Sequence, residues 1–287
     1  MTKRLFWILL LGSAATPHPR AACAQDLQLH YDWRHSVDPR NNARNFPALT
    51  FKTFKALEFG SFLLKLEANL DGTQHNVSKG YLEVSQTLRF WKAPIYVLGE
   101  YTGGLGLFDN ASGGYDLANA YIVGSAYPFR WNGGFANVSL GYKHTNFPRA
   151  SHDPQASLYW GRPLGKRVSF ASTGVFWTQN RNHGDDFTNG LTGKRGSFLI
   201  ENEIWWRAVG LVSVGSNVRV SRNVYATDGR LLVYPTIGVR YLFEILGLAG
   251  TKNGGSKGIR SDGADARATA FGMPARVVLE LRGMNGT

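Results

Sequence analysis

Cysteines and long apolar runs are what this sequence lacks most clearly. It has one cysteine, Cys23, so the chain can form no intramolecular disulfide. No stretch of about 18 apolar residues occurs anywhere, which excludes a helical protein of the inner membrane. Glycine-rich phosphate-binding loops and zinc-type spacings of Cys and His are also missing. From these absences we expect no cofactor and no metal.

The N-terminus has the three parts of a secretory signal peptide. Lys3 and Arg4 precede an apolar stretch at about residues 5–16, and Ala24 ends a small-residue cleavage site. The apolar stretch is too short for a spanning helix. Arg20 stands three positions before the cysteine, where a lipoprotein signal would have an aliphatic residue, so we expect cleavage without lipidation.

Polar and apolar residues alternate in short segments between residues 26 and 243. Successive side chains of a strand point to opposite faces, so this alternation predicts one apolar and one polar face. The first segment sets Leu27, Leu29, Tyr31 and Trp33 against Gln28, His30, Asp32 and Arg34. A soluble β-sandwich can alternate in the same way. The connections between the segments distinguish the two classes.

Twelve such segments are joined by links that alternate in length. Their predicted bounds are 27–35, 48–55, 61–70, 79–90, 95–105, 119–130, 135–145, 155–161, 168–179, 196–207, 212–225 and 231–243. Links after even-numbered segments are short, and links after odd-numbered segments are longer and polar. Short periplasmic turns and long outer loops are typical of bacterial outer-membrane barrels. We therefore predict an all-β fold, a transmembrane antiparallel up-and-down β-barrel of about 12 strands.

The character of the chain changes after Phe243. Residues 244–287 are rich in glycine, serine and charged residues, a composition suited to a flexible tail. The predicted organisation is therefore a signal peptide at 1–24, a transmembrane barrel at 25–243 and a flexible C-terminal extension at 244–287.

Aromatic residues gather at the ends of the predicted strands, where barrels carry girdles at the membrane interfaces. Beside the short links lie Phe90, Trp91, Phe129, Trp131, Trp160, Trp205 and Trp206. Toward the long links lie Trp33, Tyr101 and Trp177. A soluble aromatic core would not concentrate these residues at strand ends.

The net charge of +12 raises the possibility of a nucleic-acid partner. Three basic residues lie in the predicted leader, and the tail has two more basic than acidic residues, which leaves +7 for the barrel region. These charges follow the polar faces of the segments and form no contiguous patch. We therefore expect a polar lumen and no nucleic-acid partner.

The predicted inward faces carry many charged and aromatic side chains. The candidates for contact with a solute are His30, Asp32, Arg34, Lys65, Glu67, Tyr81, Glu83, Arg89, Tyr96, Glu100, Glu201, Glu203, Trp205, Arg219, Tyr234 and Arg240. Inward charges can also pair with one another and seal the interior. Twelve strands enclose a wider lumen than the eight whose side chains fill a barrel, so we favour a narrow channel. The aromatic members suit a base and sugar better than a phosphate.

Two short polar stretches contain residue types found in catalytic or metal sites. Residues 180–186 place a histidine beside two aspartates, and residues 151–153 read Ser-His-Asp. A single short stretch gives neither a fixed metal geometry nor a converging triad. We interpret both as loops, the second entering the eighth strand.

Five stretches resemble an uncharacterised family of outer-membrane β-barrels that is related to the nucleoside-specific channel-forming Tsx-type (Tsx-like) porins. They are LQLHYDWRH at 27–35, GSFLLK at 60–65, HDPQASLYWG at 152–161, WTQNRNHGDD at 177–186 and VYPTI at 233–237. The resemblance covers nearly all of residues 26–243 and none of the tail. It implies a monomeric twelve-stranded barrel and passive uptake of nucleosides, with no individual binding position carried over.

A barrel enzyme of the outer-membrane phospholipase type and a structural or receptor barrel without an open pore are the alternative functions. The enzyme would need a serine and a histidine on the lipid-facing exterior. The predicted outward faces are almost purely apolar, and His30 points inward, so we predict no enzyme activity. The expected partners are outer-membrane lipid and lipopolysaccharide, the outer-membrane assembly machinery and a small polar solute.

Overall fold

The computed structural model describes residues 23–57, 59–72, 76–107, 113–224 and 229–243. The predicted signal peptide, apart from its last two residues, lies outside this part of the chain. So does the predicted extension at 244–287. Both stay predictions.

The described chain forms a closed barrel of twelve antiparallel strands. The strands are β1 (Cys23–Asp32), β2 (Phe46–Leu57), β3 (Gly60–Asn69), β4 (Lys79–Leu88), β5 (Tyr96–Leu107), β6 (Gly114–Trp131), β7 (Gly134–Thr145), β8 (Ser151–Pro163), β9 (Val168–Asn180), β10 (Lys194–Val209), β11 (Val212–Arg222) and β12 (Leu231–Phe243). Each strand pairs with its neighbours in sequence, and β1 pairs with β12. The predicted up-and-down barrel is confirmed.

Closure between the first and last strands fixes the ends of the barrel. Gln25 lies opposite Phe243, and Asp32 lies opposite Thr236, so β1 and β12 run side by side along their shared length. Every strand thus has two partners and no edge is left open. The two chain ends of the described barrel lie at the end with the short turns.

Connections at the two ends differ as predicted. Trp131 pairs directly with Gly134, so β6 and β7 are joined by a two-residue turn in which Gly133 has φ 79°. This left-handed conformation favours glycine, which has no Cβ to clash. At the other end the connections are long, for example residues 33–45 and 181–193. We call the two ends the short-turn end and the long-loop end.

The first predicted strand is too long at its C-terminal side. The sequence analysis extends it to residue 35, but β1 ends at Asp32 and a helical turn, α1 (Arg34–Val37), follows. The backbone N–H of Arg34 donates to Asp32 Oδ1 at 2.9 Å, a local bond that turns the chain. Among the described residues, no helix has the length and apolar character needed to cross a membrane.

The interpretation of residues 151–153 as a loop is wrong. Ser151, His152 and Asp153 open β8, where they pair with Thr145, His144 and Lys143 of β7. Three consecutive polar residues hide the strand period, because His152 is polar although it faces outward between the buried Ser151 and Asp153.

Apolar side chains face outward on the barrel and polar ones inward. Leu29 is 52% exposed, whereas the preceding residue, Gln28, is 1% exposed. The same contrast separates Trp206, 46% exposed, from Trp205, 2% exposed. In water such an exterior would be costly, while hydrocarbon accommodates it. The barrel exterior therefore fits a lipid environment.

The predicted aromatic girdles are partly wrong. Phe90, Trp91, Phe129, Trp131, Trp206 and Trp33 are exposed at strand ends as expected. Trp205 and Trp177 instead lie inside, since each shares a face with inward residues of the adjacent strands. An aromatic residue at the end of a strand therefore belongs to a membrane-interface girdle only if its side chain points outward.

Candidate functional site: the barrel lumen

An ion-pair network crosses the interior between β3 and β10–β11. Arg219 Nη1 donates to Glu67 Oε1 at 2.8 Å, and Arg219 Nε donates to Glu201 Oε1 at 2.9 Å. Lys65 Nζ donates to Glu201 Oε2 at 2.8 Å. Strands β3 and β11 are not neighbours in the sheet, so these side chains meet across the lumen.

A second pair on this side was missed by the sequence analysis. Lys52 of β2 forms an ion pair with Glu203 of β10, and Glu203 also accepts a bond of 2.9 Å from Trp205 Nε1. Lys52 alternates with the outward Leu49 and Phe51, so the same period-two pattern could have identified it. We call the four strands β2, β3, β10 and β11, with their ion pairs, the ion-paired wall.

Strands β1 and β12 complete this wall with buried polar and aromatic groups. His30 lies with Nε2 2.8 Å from Gln28 Oε1 and Nδ1 2.9 Å from Thr236 Oγ1. Its ring packs edge-on against Trp205 at 5.5 Å, and the Arg240 guanidinium lies 4.7 Å from the centre of the Trp205 ring. These predicted candidates lie among side chains and have well-formed partners, which suits a structural role.

At the long-loop end, α1 brings Arg34 over the lumen. Its Nη2 donates to Asp32 Oδ2 at 2.7 Å, and the guanidinium lies 4.6 Å from the centre of the Phe46 ring and 5.0 Å from that of Tyr234. Asn42 Nδ2 donates to the Tyr234 hydroxyl at 3.3 Å. Arg34 therefore reaches the mouth of the barrel from a helical turn and not from a strand as expected.

The opposite side of the lumen, formed by β4, β5 and β8, is bonded more loosely. The Tyr81 hydroxyl donates to Glu83 Oε2 at 3.4 Å, and Gln155 Nε2 donates to Glu100 Oε1 at 3.4 Å. Glu83 lies directly opposite the inward Lys65 in the β3–β4 register, so both side chains are on the lumen side. We call these four side chains, Tyr81, Glu83, Glu100 and Gln155, the acidic wall.

Solvent-accessible space lies inside the barrel at Tyr159. Tyr159 of β8 lies opposite Thr173 of β9 in the strand register, and Thr173 lies opposite the inward Glu201 of β10. Residues that lie opposite each other point to the same face of the sheet, so Tyr159 faces the lumen. It is nevertheless 42% exposed, and its ring contacts Phe135 at 5.4 Å. A lumen filled by side chains would bury a tyrosine in this position. The side chains therefore leave solvent-accessible space along β8.

The remaining candidates lie at the short-turn end. The Arg89 guanidinium lies 5.2 Å from the centre of the Tyr96 ring, and its backbone N–H donates to the carbonyl of Phe59 at 2.7 Å. The structure thus separates the predicted set into the ion-paired wall, the acidic wall and one cation–aromatic pair at each end. Among the described residues, no three His, Cys, Asp or Glu side chains converge as a metal site.

The outer face holds one polar cluster that contradicts the expectation of almost purely apolar outward faces. His144 and His152 lie opposite each other on β7 and β8, with ring centres 4.7 Å apart and Nδ1 atoms 3.4 Å apart. The Tyr142 hydroxyl is hydrogen-bonded to His152. These residues alternate with the inward Lys143 and Asp153, so their outward direction could have been predicted from parity.

Residues 24–243 match the family described as a domain of unknown function (DUF5020). The chain belongs to this family. The match spans the barrel from the second residue of β1 to the end of β12. No curated protein is significantly similar to the chain.

Several solved structures resemble the chain at low identity. A NanC porin is 9% identical, with 76% of this chain and 98% of that chain covered and a TM-score of 0.47. OmpT, an outer membrane protein of Vibrio cholerae, is 8% identical with coverages of 80% and 100% and a TM-score of 0.36. The translocator domain of the autotransporter NalP from Neisseria meningitidis is 11% identical, with coverages of 83% and 93% and a TM-score of 0.35.

Proposed function

We propose that the protein is an outer-membrane channel through which small polar solutes, nucleosides in particular, diffuse passively. The observation that carries this proposal is the 42% exposure of Tyr159 on the inner face of β8. A barrel that served only as a plug or scaffold would fill this space. Twelve strands are enough to leave a lumen that side chains do not close.

The exterior supports a place in the outer membrane. Large apolar side chains such as Leu29, Leu140 and Ile237 are 52–61% exposed and lie on outward faces of the strands. A closed barrel satisfies its backbone hydrogen bonds internally, as a structure in hydrocarbon must. The long-loop end then corresponds to the outside of the cell and the short-turn end to the periplasm.

The acidic wall has the groups that a nucleoside would use. Ribose hydroxyls can donate to the carboxylates of Glu83 and Glu100, and Gln155 offers both a donor and an acceptor. The rings of Tyr81 and Tyr159 offer flat faces for a base. The Tyr81–Glu83 and Gln155–Glu100 hydrogen bonds are both 3.4 Å long, so a solute can replace them at small cost. The resemblance to Tsx-type porins supports the same solute class.

The ion-paired wall plays a different part in this proposal. Its carboxylates Glu67, Glu201 and Glu203 each hold a cationic partner across the lumen. These pairs narrow the lumen and hold its shape. The solute path then runs along β4, β5 and β8.

Uptake of radiolabelled adenosine into proteoliposomes tests this function. The refolded protein should admit adenosine faster than protein-free vesicles, and unlabelled thymidine should compete. In the Glu100→Gln variant, the thymidine concentration needed to compete with adenosine should rise by about tenfold or more. A hydrogen bond to a charged group contributes about 1.5–3 kcal/mol, and this variant removes the charge. Lys92→Gln, in an exposed short turn, is the matched control and should leave uptake unchanged. Equal uptake with and without protein would refute the proposal.

A phospholipase-type enzyme is the second candidate, because His144 and His152 lie on the outer face beside Tyr142. No contact described for the resolved strands joins a serine hydroxyl to this pair. We therefore rank the enzyme below the channel. Release of fatty acid from labelled phospholipid, lost in His152→Ala and retained in the control Lys92→Gln, would reverse that order.

A further inference from the structure

An open depression of about 350 Å³ lies at the long-loop end of the barrel. Its lining residues are Arg181, Lys194, Arg195, Asn223 and Gly229. We call this depression the basic vestibule, since three of its five lining residues are cationic. A volume of this size accommodates a small organic solute.

One wall of the basic vestibule comes from the lumen-facing side of β10. Arg195 lies opposite Gln179 in the β9–β10 register and shares the face of β10 that carries Glu201, which forms an ion pair across the interior with Lys65. Asn223 directly follows β11 and is 8% exposed. A solute that enters from the long-loop end therefore meets these cations before it reaches the ion-paired wall.

The loop on one side of the basic vestibule is held in place. The backbone N–H of Arg181 donates to the carbonyl of Gly193 at 3.0 Å, which closes the base of the loop. His183 stacks on Phe147 at 3.9 Å with an interplanar angle of 5°, and its carbonyl accepts a bond of 2.8 Å from Arg149. Arg181 is thus presented from an ordered segment.

The other side is fixed by one asparagine. Asn223 has φ 59°, and its Nδ2 donates to the carbonyl of Gly196 at 2.7 Å. Its Oδ1 accepts the backbone N–H of Gly229 at 2.7 Å. Lys194 is anchored at the rim by an ion pair of 2.7 Å with Asp153. Preorganised side chains lose little entropy when a ligand binds.

We propose that the basic vestibule binds the phosphate or carboxylate of an anionic solute and draws that solute into the lumen. This inference rests on the proposed channel function and refines its solute class. A guanidinium carries five N–H donors in a planar fork, so Arg181 and Arg195 can keep neighbouring contacts while they bind an oxyanion. A nucleoside monophosphate combines such a group with the base and sugar that suit the acidic wall.

Adenosine and adenosine 5′-monophosphate form a probe pair that differs by one phosphate. Each is added at the long-loop side of a planar bilayer that contains the refolded full chain in 0.1 M salt. One cation about 4 Å from a phosphate charge strengthens binding about fivefold in water. The monophosphate should therefore block single-channel current at a concentration at least about fivefold lower than adenosine. In 1 M salt, where screening acts over about 3 Å, the difference should vanish.

Arg181→Gln/Lys194→Gln/Arg195→Gln should remove the preference for the monophosphate and leave block by adenosine unchanged. Arg222→Gln is the matched control, because Arg222 lies at the same end of β11 with an exposed, outward side chain. If the triple variant fails to refold, as judged by heat-dependent gel mobility, the single variant Lys194→Gln should still reduce the preference.

Equal block by the two probes in the unaltered protein would overturn this inference and leave the channel function standing. Absence of any conductance would overturn the channel function itself. The measurement is repeated in bilayers with lipopolysaccharide. A preference for the monophosphate that disappears there would assign the basic vestibule to lipid phosphate and overturn the assignment to a free solute.

Discussion

Arg219 on β11 donates to Glu67 on β3 at 2.8 Å, although β12, β1 and β2 separate the two strands in the sheet. The contact therefore crosses the interior. It joins two parts of the wall that backbone hydrogen bonds connect only indirectly. We infer that this bridge stabilises the cross-section of the lumen.

Arg219→Gln should lower the free energy of unfolding by about 3 kcal/mol, because it removes one of two cations that Glu67 and Glu201 share and leaves both carboxylates to Lys65. Urea unfolding in lipid vesicles measures this change. Arg222→Gln, which removes an outward arginine from the same strand, should alter the free energy by less than about 0.5 kcal/mol. Equal losses in the two variants would contradict the assigned role of the bridge.

The ion pair of Lys52 and Glu203 should tolerate an exchange of the two charges but not the reversal of one charge alone. Lys52→Glu places two carboxylates where an ion pair stood and should lower the unfolding midpoint. The double variant Lys52→Glu/Glu203→Lys restores opposite charges, so it should recover most of the loss. A double variant that is no more stable than Lys52→Glu would show that the pair does not stabilise the barrel.

Quenchers attached to lipid should reduce the fluorescence of Trp206 but not that of Trp205. Trp206 is 46% exposed on the outer face, whereas Trp205 is 2% exposed inside. In vesicles of brominated lipid, Trp206→Phe should reduce the quenchable tryptophan fluorescence, and Trp205→Phe should leave the quenchable part nearly unchanged. Identical quenching losses would refute the assignment of inner and outer faces.

The loop at residues 181–193 should loosen in acid. Two hydrogen bonds of 2.8 Å from the Thr188 hydroxyl and backbone N–H lower the pKa of Asp185 below its ordinary value of 3.8, helped by His183. A lowered carboxyl pKa means that the stabilisation is present above pH 3.8 and is lost as pH falls through the lowered value. Hydrogen exchange at Thr188 should accelerate below about pH 3.8, and Asp185→Asn should remove this pH dependence. Acceleration that is unchanged in the variant would exclude Asp185 as the cause.

The period-two pattern was sufficient to predict the number of strands, their order and most inward residues. The pattern gives the direction of a side chain, inward or outward, only for residues that lie inside a strand. Arg34 was therefore assigned correctly to the lumen but wrongly to a strand, since the bond from its N–H to Asp32 is a local turn that alternation does not reveal. For the same reason the outward pair His144 and His152 was missed when residues 151–153 were assigned to a loop.

Partners across the lumen could not be predicted from the pattern. Glu67 and Arg219 are 152 residues apart in sequence, and their meeting depends on barrel closure and on the tilt of twelve strands. The basic vestibule was missed because its residues come from two loops and the first two residues of β10. The sequence supplied the residue types, whereas the contacts follow from the closed register.

Single-channel conductance of the purified, refolded protein, with and without adenosine and thymidine, tests the central claim most directly. The account predicts a small open current that sub-millimolar nucleoside blocks, because the 42% exposure of Tyr159 on the inner face of β8 indicates solvent-accessible space inside the barrel. A correctly folded barrel that carries no current under these conditions would contradict the account.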